Sequence, residues 1–204
     1  MYMQQPRLLH VHASRCRREF SGFCRRSPRS LRVVVSPTSD SEDVALVLVE
    51  RLLGGSAARY LRSSDRRFPL ACGGTYFSVS HTQAHTALAV ADVPVGVDIE
   101  DRLSPQACFD LAWAWSPSER EELSCREIEE RLATEIWTAK EAAGKARGTG
   151  LPALPSLITT SSVAATSAHR TIQIVSDVGS SDYLDSHGLW HGDSHIRVAW
   201  QRER

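Results

Sequence analysis

Three compact segments rich in β-branched and apolar residues follow one another between residues 75 and 100, and they constrain the fold more than any other feature. They cover residues 75–81, 86–91 and 95–100, and the breaks between them contain Gln, His, Asp and Pro. Runs of this length bounded by turn residues are typical of β-strands. We therefore predict three neighbouring strands in this part of the chain.

Four other segments have helical patterns. Apolar residues recur at helical spacing over residues 44–53, and a shorter candidate covers residues 105–115. A capping box with proline at the first helical position then predicts that a new helix begins at Pro117. The longest pattern covers residues 127–147 and is followed by Gly148, a residue typical of helix ends.

The last part of the chain returns to strands. We predict them at residues 171–175, 183–184, 189–190 and 195–200, and we predict a loop at residues 62–74. Helix followed by strands thus occurs twice along the chain. This order predicts an α+β architecture.

The charge of the chain excludes some partners. The 204 residues carry 24 basic and 24 acidic side chains, and no uncharged run reaches the ~20 apolar residues of a membrane span. A broadly basic surface for nucleic acid is therefore not expected, nor is a membrane partner. Only two of the basic residues are lysines, Lys140 and Lys145, and they lie in one short window. This concentration favours a chemical role for that window.

The N-terminal segment has a different composition. Residues 1–32 are rich in Arg and Ser and contain a single acidic residue. This composition resembles a transit peptide, but we favour a disordered basic tail or a misassigned start.

Two carboxylates share one side of the strand predicted at residues 95–100. Side chains alternate along a strand, so Asp98 and Glu100 point to the same face. Two neighbouring carboxylates repel each other unless a cation lies between them, and Mg²⁺ prefers oxygen ligands. A solvated polar face is the alternative interpretation, and it stays open for an isolated pair of this kind.

A third carboxylate lies on the long helix. Trp137, Glu141 and Lys145 are four residues apart, so Glu141 stands beside Lys145 on one stripe. Glu141 would be a ligand of the ion, and Lys145 would neutralise phosphate charge on a leaving group. An ordinary surface pair of Glu and Lys is the alternative.

The strand at residues 75–81 ends in Ser80-His81. A hydroxyl, an imidazole and backbone N–H groups at a strand end can contact a phosphate. A purely structural pair of Ser and His is equally compatible with the sequence.

In this order and spacing, the three motifs resemble the 4'-phosphopantetheinyl transferase superfamily, specifically its surfactin-synthetase-activating, pseudo-dimeric class. The family shows a Ser-His strand end, a G-(V/I)-D-(I/V)-E strand and a W-x-x-K-E-x-x-x-K helix. The corresponding segments here are Ser80-His81, residues 96–100 and residues 137–145.

The resemblance implies a role for each matching residue. Metal ligands would be Asp98, Glu100 and Glu141, holding Mg²⁺, with Mn²⁺ as an alternative, on the diphosphate of coenzyme A. Glu141 and Lys145 would be catalytic, Lys145 by supporting the leaving 3',5'-ADP. Contacts to coenzyme A would come from a group of four residues: Ser80, His81, Arg67 and Lys140.

The resemblance also implies a fold and a reaction. Two similar α+β halves, residues 33–92 and 93–204, would enclose the active site in the crevice between them. The chain would be a cytoplasmic monomer that moves phosphopantetheine from coenzyme A to a serine of an acyl or peptidyl carrier protein. Such carriers serve fatty-acid, polyketide or nonribosomal peptide synthesis.

One departure from the family pattern leaves other functions open. Where the family presents basic residues before its first long helix, this chain has an acidic segment of Ser, Asp and Glu at residues 39–43. A homologue that binds coenzyme A or a carrier without catalysis is therefore the alternative. An unrelated Mg²⁺-dependent phosphodiester enzyme using the same three carboxylates is a further one.

Overall fold

The computed structural model describes residues 28, 30–37, 41–61, 69–124, 130–151, 155–162, 169–175 and 181–201. Its helices are α1 Ser41–Leu53, α2 Gly55–Leu61, α3 Pro105–Asp110, α4 Pro117–Ser124 and α5 Glu130–Arg147, with 3-10 turns at Ala112–Ala114 and Pro155–Leu157. Its strands are β1 Leu31–Pro37, β2 Leu70–Cys72, β3 Thr75–His81, β4 His85–Ala91, β5 Val95–Asp101, β6 Ile158–Ser162, β7 His169–Val175, β8 Ser181–His191 and β9 Ser194–Gln201.

The strands form two antiparallel sheets, and the predicted α+β class is confirmed. Sheet A has the order β1-β4-β3-β2, and sheet B has the order β5-β9-β8-β7-β6. The chain passes from one sheet to the other between Ala91 and Val95. The three strands predicted between residues 75 and 100 are present, but the third of them, β5, belongs to sheet B.

Sheet A has an apolar core on each face because its side chains alternate. One face packs against α1 and α2 through residues such as Val34, Phe77 and Leu88. The other face packs against β5 and β9 of sheet B, where Val33 and Ala89 share a core with Val97. The layers therefore run from α1 and α2 through sheet A to sheet B.

Helix α5 covers the remaining face of sheet B. The long helix predicted at residues 127–147 is confirmed from Glu130 onward, and residues 127–129 lie outside the described residues. Its Ala139 and Ala143 pack against Ile172 and Leu184 of the sheet. Ile136, on the same helix, packs with α3 and α4 at the other end. No described helix has the length and hydropathy needed to cross a bilayer.

Several sequence predictions need correction. Within the loop predicted at residues 62–74, β2 pairs with β3 through the turn at Gly73-Gly74, because both glycines adopt positive φ, as two-residue hairpin turns require. The two short strands predicted at residues 183–184 and 189–190 are parts of one strand, β8. Strands β1 and β6 and helix α2 were not predicted, and β1 begins inside the segment predicted as a tail.

Gly96 allows α5 to approach sheet B closely. A Cβ atom at this position would lie 2.0 Å from the carbonyl oxygen of Ala142 and 2.4 Å from the backbone nitrogen of Ala146. Backbone atoms cannot yield as a flexible side chain can, so only glycine fits here. The contact fixes the distance between the strand that carries Asp98 and the helix that carries Glu141.

We predict that Gly96→Ala lowers the free energy of unfolding by about 1–3 kcal/mol, because α5 must move away from β5. Chemical denaturation measures this change. The matched control is Gly55→Ala, where a new Cβ meets no atom within 4 Å, and its effect should stay below about 1 kcal/mol. Equal stability of the two variants would contradict the close approach.

Candidate functional site

Strand β3 directs two serines towards β5. Phe77 and Val79 pack beneath the helices of sheet A, so the alternating Ser78 and Ser80 face the other way. Ser78 Oγ accepts a hydrogen bond of 3.1 Å from the backbone nitrogen of Val97. The Ser80 hydroxyl, at 2.9 Å, donates to Asp98 Oδ1. The end of β3 is thereby joined to the strand that carries the two predicted carboxylates.

Strand β5 places Asp98 and Glu100 on the face of sheet B that α5 covers. Asp98 is only 3% exposed, whereas Glu100 is half-buried near the strand end. Their partners across the sheet are Arg197 and His195 of β9. Both carboxylates therefore lie in a partly dry environment, not on a solvated edge.

Helix α5 adds Glu141 and Lys145. Lys145 Nζ lies 2.8 Å from Asp98 Oδ1 and donates a hydrogen bond of 2.9 Å to Ser80 Oγ. The motif residues Ser80, Asp98 and Lys145, which are far apart in the sequence, are thus in direct contact. We call this three-residue contact the β3-β5-α5 junction.

Burial and the charges around the junction raise the pKa values of the other two carboxyls. Burial, and then repulsion by Asp98 and Glu141, raises the pKa of Glu100 from 4.5 to about 7, against attraction by Lys145 and a hydrogen bond from Trp137. Burial and repulsion by Asp98 also raise the pKa of Glu141. The cluster thus has more negative charge than Lys145 neutralises.

The donor set suits a hard divalent cation. Asp98 Oδ2 is buried and has no hydrogen-bond partner among the described residues, so this oxygen is available to a ligand. Carboxylate oxygens are the ligands that Mg²⁺ prefers. No three His, Cys, Asp or Glu side chains in the described ranges are arranged as a metal cluster. These residues therefore fit a divalent cation by the type of their donor atoms and by their charge.

The remaining predicted contacts to coenzyme A lie in different surroundings. His81 is exposed at the end of β3, next to the junction in sequence. Arg67 falls in residues 62–68, outside the described residues. Lys140 is fully buried.

The family resemblance implied that Lys140 contacts coenzyme A, whereas the structure places its ammonium in a buried ion pair. Its side chain is fully buried, and Nζ lies 2.7 Å from Glu119 Oε2. The same ammonium donates to the carbonyl oxygens of Pro155 and Ile158. All three N–H donors are therefore used inside the protein, and none reaches the surface. Burial lowers the pKa of Lys140, and attraction by Glu119 opposes that shift.

Glu119 is a residue whose role the sequence indicated only in part. Its carboxylate accepts a hydrogen bond from Ser116 N at 2.8 Å, which confirms the predicted capping box of α4. It also accepts from Thr160 N at 2.8 Å and pairs with Lys140. The capping box in the sequence predicted the start of α4. It gave no sign of the ion pair, because Lys140 is distant in the sequence.

The comparison with protein families agrees with this geometry. A family model described as the 4'-phosphopantetheinyl transferase superfamily matches residues 94–199, more than half of the chain. The chain belongs to this superfamily, and its reaction class is phosphopantetheine transfer. The matched span contains β5 and α5 with Asp98, Glu100, Glu141 and Lys145, whereas Ser80 lies outside it. A search of curated proteins found no match.

We predict that Lys140→Met lowers the free energy of unfolding by about 3–5 kcal/mol, because it leaves Glu119 buried without its counter-charge. The control is Arg147→Met on the same helix, whose partner Asp182 is 48% exposed. That variant should lose at most about 1 kcal/mol. Urea denaturation of both variants distinguishes them, and a similar small loss in each would contradict the buried pair.

We also predict a pH dependence of stability in the presence of a chelator. Glu100 has a pKa near 4.5 when unfolded and about 7 when folded, so the unfolded chain releases its proton first as the pH rises. The free energy of unfolding therefore falls between these values. Relative to Glu100→Gln, the unsubstituted protein should lose roughly 1–3 kcal/mol between pH 5 and pH 8. A difference that does not change with pH would contradict the shifted pKa.

Proposed function

We propose that this chain is a Mg²⁺-dependent 4'-phosphopantetheinyl transferase that uses coenzyme A as its co-substrate. It would transfer the phosphopantetheine arm to a serine of an acyl or peptidyl carrier protein and release 3',5'-ADP. We propose that it acts in the cytoplasm as a monomer. Family membership supports the reaction class, and the site supports the choice of cofactor.

The observation that carries the proposal is the surplus of negative charge between β5 and α5. Asp98 is paired with Lys145, whereas burial, and then repulsion within the cluster, raises the pKa values of Glu100 and Glu141. Like charges gathered in a half-buried site repel one another, and a cation bound between them would relieve that repulsion. Asp98, Glu100 and Glu141 would hold Mg²⁺, which supplies charge neutralisation for the diphosphate when it is bound.

The phosphates of coenzyme A would lie beside the junction. His81 is exposed at the strand end and would contact a phosphate, with Arg67 as a second contact. Lys145 carries a positive charge at a side chain that is 20% exposed, so it can reach a ligand at the mouth of the site. We assign it to the oxygen that gains charge as 3',5'-ADP leaves.

The transfer is a displacement at phosphorus. The serine oxygen of the carrier forms a bond to the phosphorus that bears the pantetheine arm, and the bond from this phosphorus to the bridging oxygen breaks. The electron pair of that bond leaves with 3',5'-ADP. We assign Glu141, the carboxylate on α5 at this site, as the group that takes the serine proton.

We predict that the purified protein, incubated with coenzyme A, Mg²⁺ and a panel of apo carrier proteins, adds the mass of phosphopantetheine to at least one carrier. The panel covers fatty-acid, polyketide and nonribosomal peptide carriers. Glu141→Gln should reduce the rate by roughly 10²–10⁴-fold, because it removes the proton acceptor and a ligand oxygen. Glu121→Gln, which changes an exposed carboxylate on α4, is the control and should keep the rate.

Mass spectrometry of the intact carrier measures the transfer. If no carrier gains mass while a known transferase modifies the same panel, the proposed activity is wrong. Binding of coenzyme A without transfer would then favour a homologue that has lost catalysis. A normal rate for Glu141→Gln would contradict the role of that residue alone.

A further inference from the structure

We infer that Ser80 is a positioning residue that fixes Asp98 and Lys145, and that it is not a phosphate contact. This inference rests on the proposed function, because it assigns a role within that site. It replaces the expectation that Ser80, like His81, touches coenzyme A. Three observations carry it: the contacts of the Ser80 hydroxyl, the burial of Ser80, and the hydrogen bonds of the two Asp98 oxygens.

The Ser80 hydroxyl is engaged on two sides. It donates to Asp98 Oδ1 at 2.9 Å and accepts from Lys145 Nζ at 2.9 Å. A serine hydroxyl has one hydrogen to donate, so this donor is already used within the protein. A phosphate, which only accepts hydrogen bonds when it is ionised, would have to take that hydrogen from Asp98.

The burial of Ser80 points the same way. The residue is 8% exposed, whereas the neighbouring His81 is exposed. Of the two residues in the Ser-His motif, only the histidine presents its side chain to a ligand from solvent. The Ser80 hydroxyl instead lies inside the protein, in contact with Asp98 of β5 and Lys145 of α5.

The two hydrogen bonds that Asp98 Oδ1 accepts, one from Ser80 and one from Lys145, determine which oxygen of Asp98 is available. Oδ1 receives both the hydroxyl of Ser80 and the ammonium of Lys145, at 2.9 and 2.8 Å. Oδ2 is buried and has no partner among the described residues. Ser80, which contacts both Asp98 Oδ1 and the Lys145 ammonium that shares this oxygen, therefore helps to hold the carboxylate in one orientation, with Oδ2 as the oxygen left for a cation. Partners of this kind typically change metal affinity by 10–100-fold when they are removed.

Ser78 provides a matched control for a purely structural effect. It lies two residues earlier on β3, is fully buried and also bonds to β5. Its partner is the backbone nitrogen of Val97, however, and not a side chain of the junction. Ser78→Ala thus removes a similar bond between the same two strands without freeing Asp98.

The test compares Ser80→Ala, Ser80→Thr and Ser78→Ala with the unsubstituted protein. Steady-state kinetics give kcat and the KM for coenzyme A, calorimetry in EDTA gives the Kd for coenzyme A, and electron paramagnetic resonance gives the Kd for Mn²⁺. Thermal denaturation confirms that each variant is folded at the assay temperature.

We expect Ser80→Ala to lower kcat and to weaken Mn²⁺ binding by about 10–100-fold each, because Asp98 and Lys145 lose a shared partner. The KM and Kd for coenzyme A should stay within about twofold. Ser80→Thr keeps the hydroxyl and should recover most of the loss. Ser78→Ala should resemble the unsubstituted protein in all four quantities.

Three results would overturn the inference. Ser80→Ala could weaken coenzyme A binding tenfold or more at normal kcat, which is the mark of a phosphate contact. Ser78→Ala could lose as much kcat and Mn²⁺ affinity as Ser80→Ala, which is the mark of a general effect on the strands. Unchanged Mn²⁺ affinity in Ser80→Ala would also overturn it. If the unsubstituted protein transfers nothing, the proposed function fails, and the Mn²⁺ measurements still decide the role of Ser80.

Discussion

The pairing of buried charges beneath α5 is the constraint on which the rest of the structure depends. The face of sheet B under this helix holds Asp98, Arg170 and Arg197, and the helix itself adds Lys140, all with almost no exposed surface. A charge without a partner in such a place costs several kcal/mol. The chain meets this requirement with specific pairs: Lys140 with Glu119, Lys145 with Asp98 and Arg170 with Glu122.

The candidate site lies where this pairing is incomplete. Glu100 and Glu141 share the environment of Asp98, and the raised pKa values of both record the cost of their charges. A structure selected only for stability would replace such groups by apolar ones. Their presence is explained if a cation and a polyanionic substrate complete the balance.

The orientation of α5 follows from contacts on both sides of Glu141. Gly96 admits the helix backbone at Ala142 and Ala146, and Lys140 ties the preceding position to Glu119 and to the carbonyl groups at residues 155 and 158. Together they set both the distance and the rotation of the helix. The two lysines of the chain thus have different roles: Lys140 fixes the position of the helix, and Lys145 faces the site.

Short-range patterns predicted a large part of this arrangement. Short runs of β-branched and apolar residues bounded by turn residues identified β3, β4 and β5, and the capping box identified the start of α4, because these signals depend only on neighbouring residues. Local patterns did not predict β8 as one strand, because Gly188 interrupts its run of strand-forming residues. The glycine is needed for a contact with another strand, since a Cβ atom there would lie 2.6 Å from the guanidinium of Arg197. The sequence contains no local sign of that contact.

The site shows the same limit. The motifs located Ser80, Asp98, Glu141 and Lys145, and the structure brings Ser80, Asp98 and Lys145 into contact. The different roles of the two lysines could not be predicted, because burial depends on how α4, α5 and β6 pack. Only the assembled fold shows that Lys140 faces inward.

The most direct test of the account is anomalous diffraction from crystals grown with Mn²⁺ and coenzyme A. We expect one strong anomalous peak between β5 and α5, at ligand distance from Asp98 Oδ2, Glu100 and Glu141 and from diphosphate oxygens of the coenzyme. A peak that lies elsewhere, or coenzyme A bound away from these carboxylates, would contradict the account.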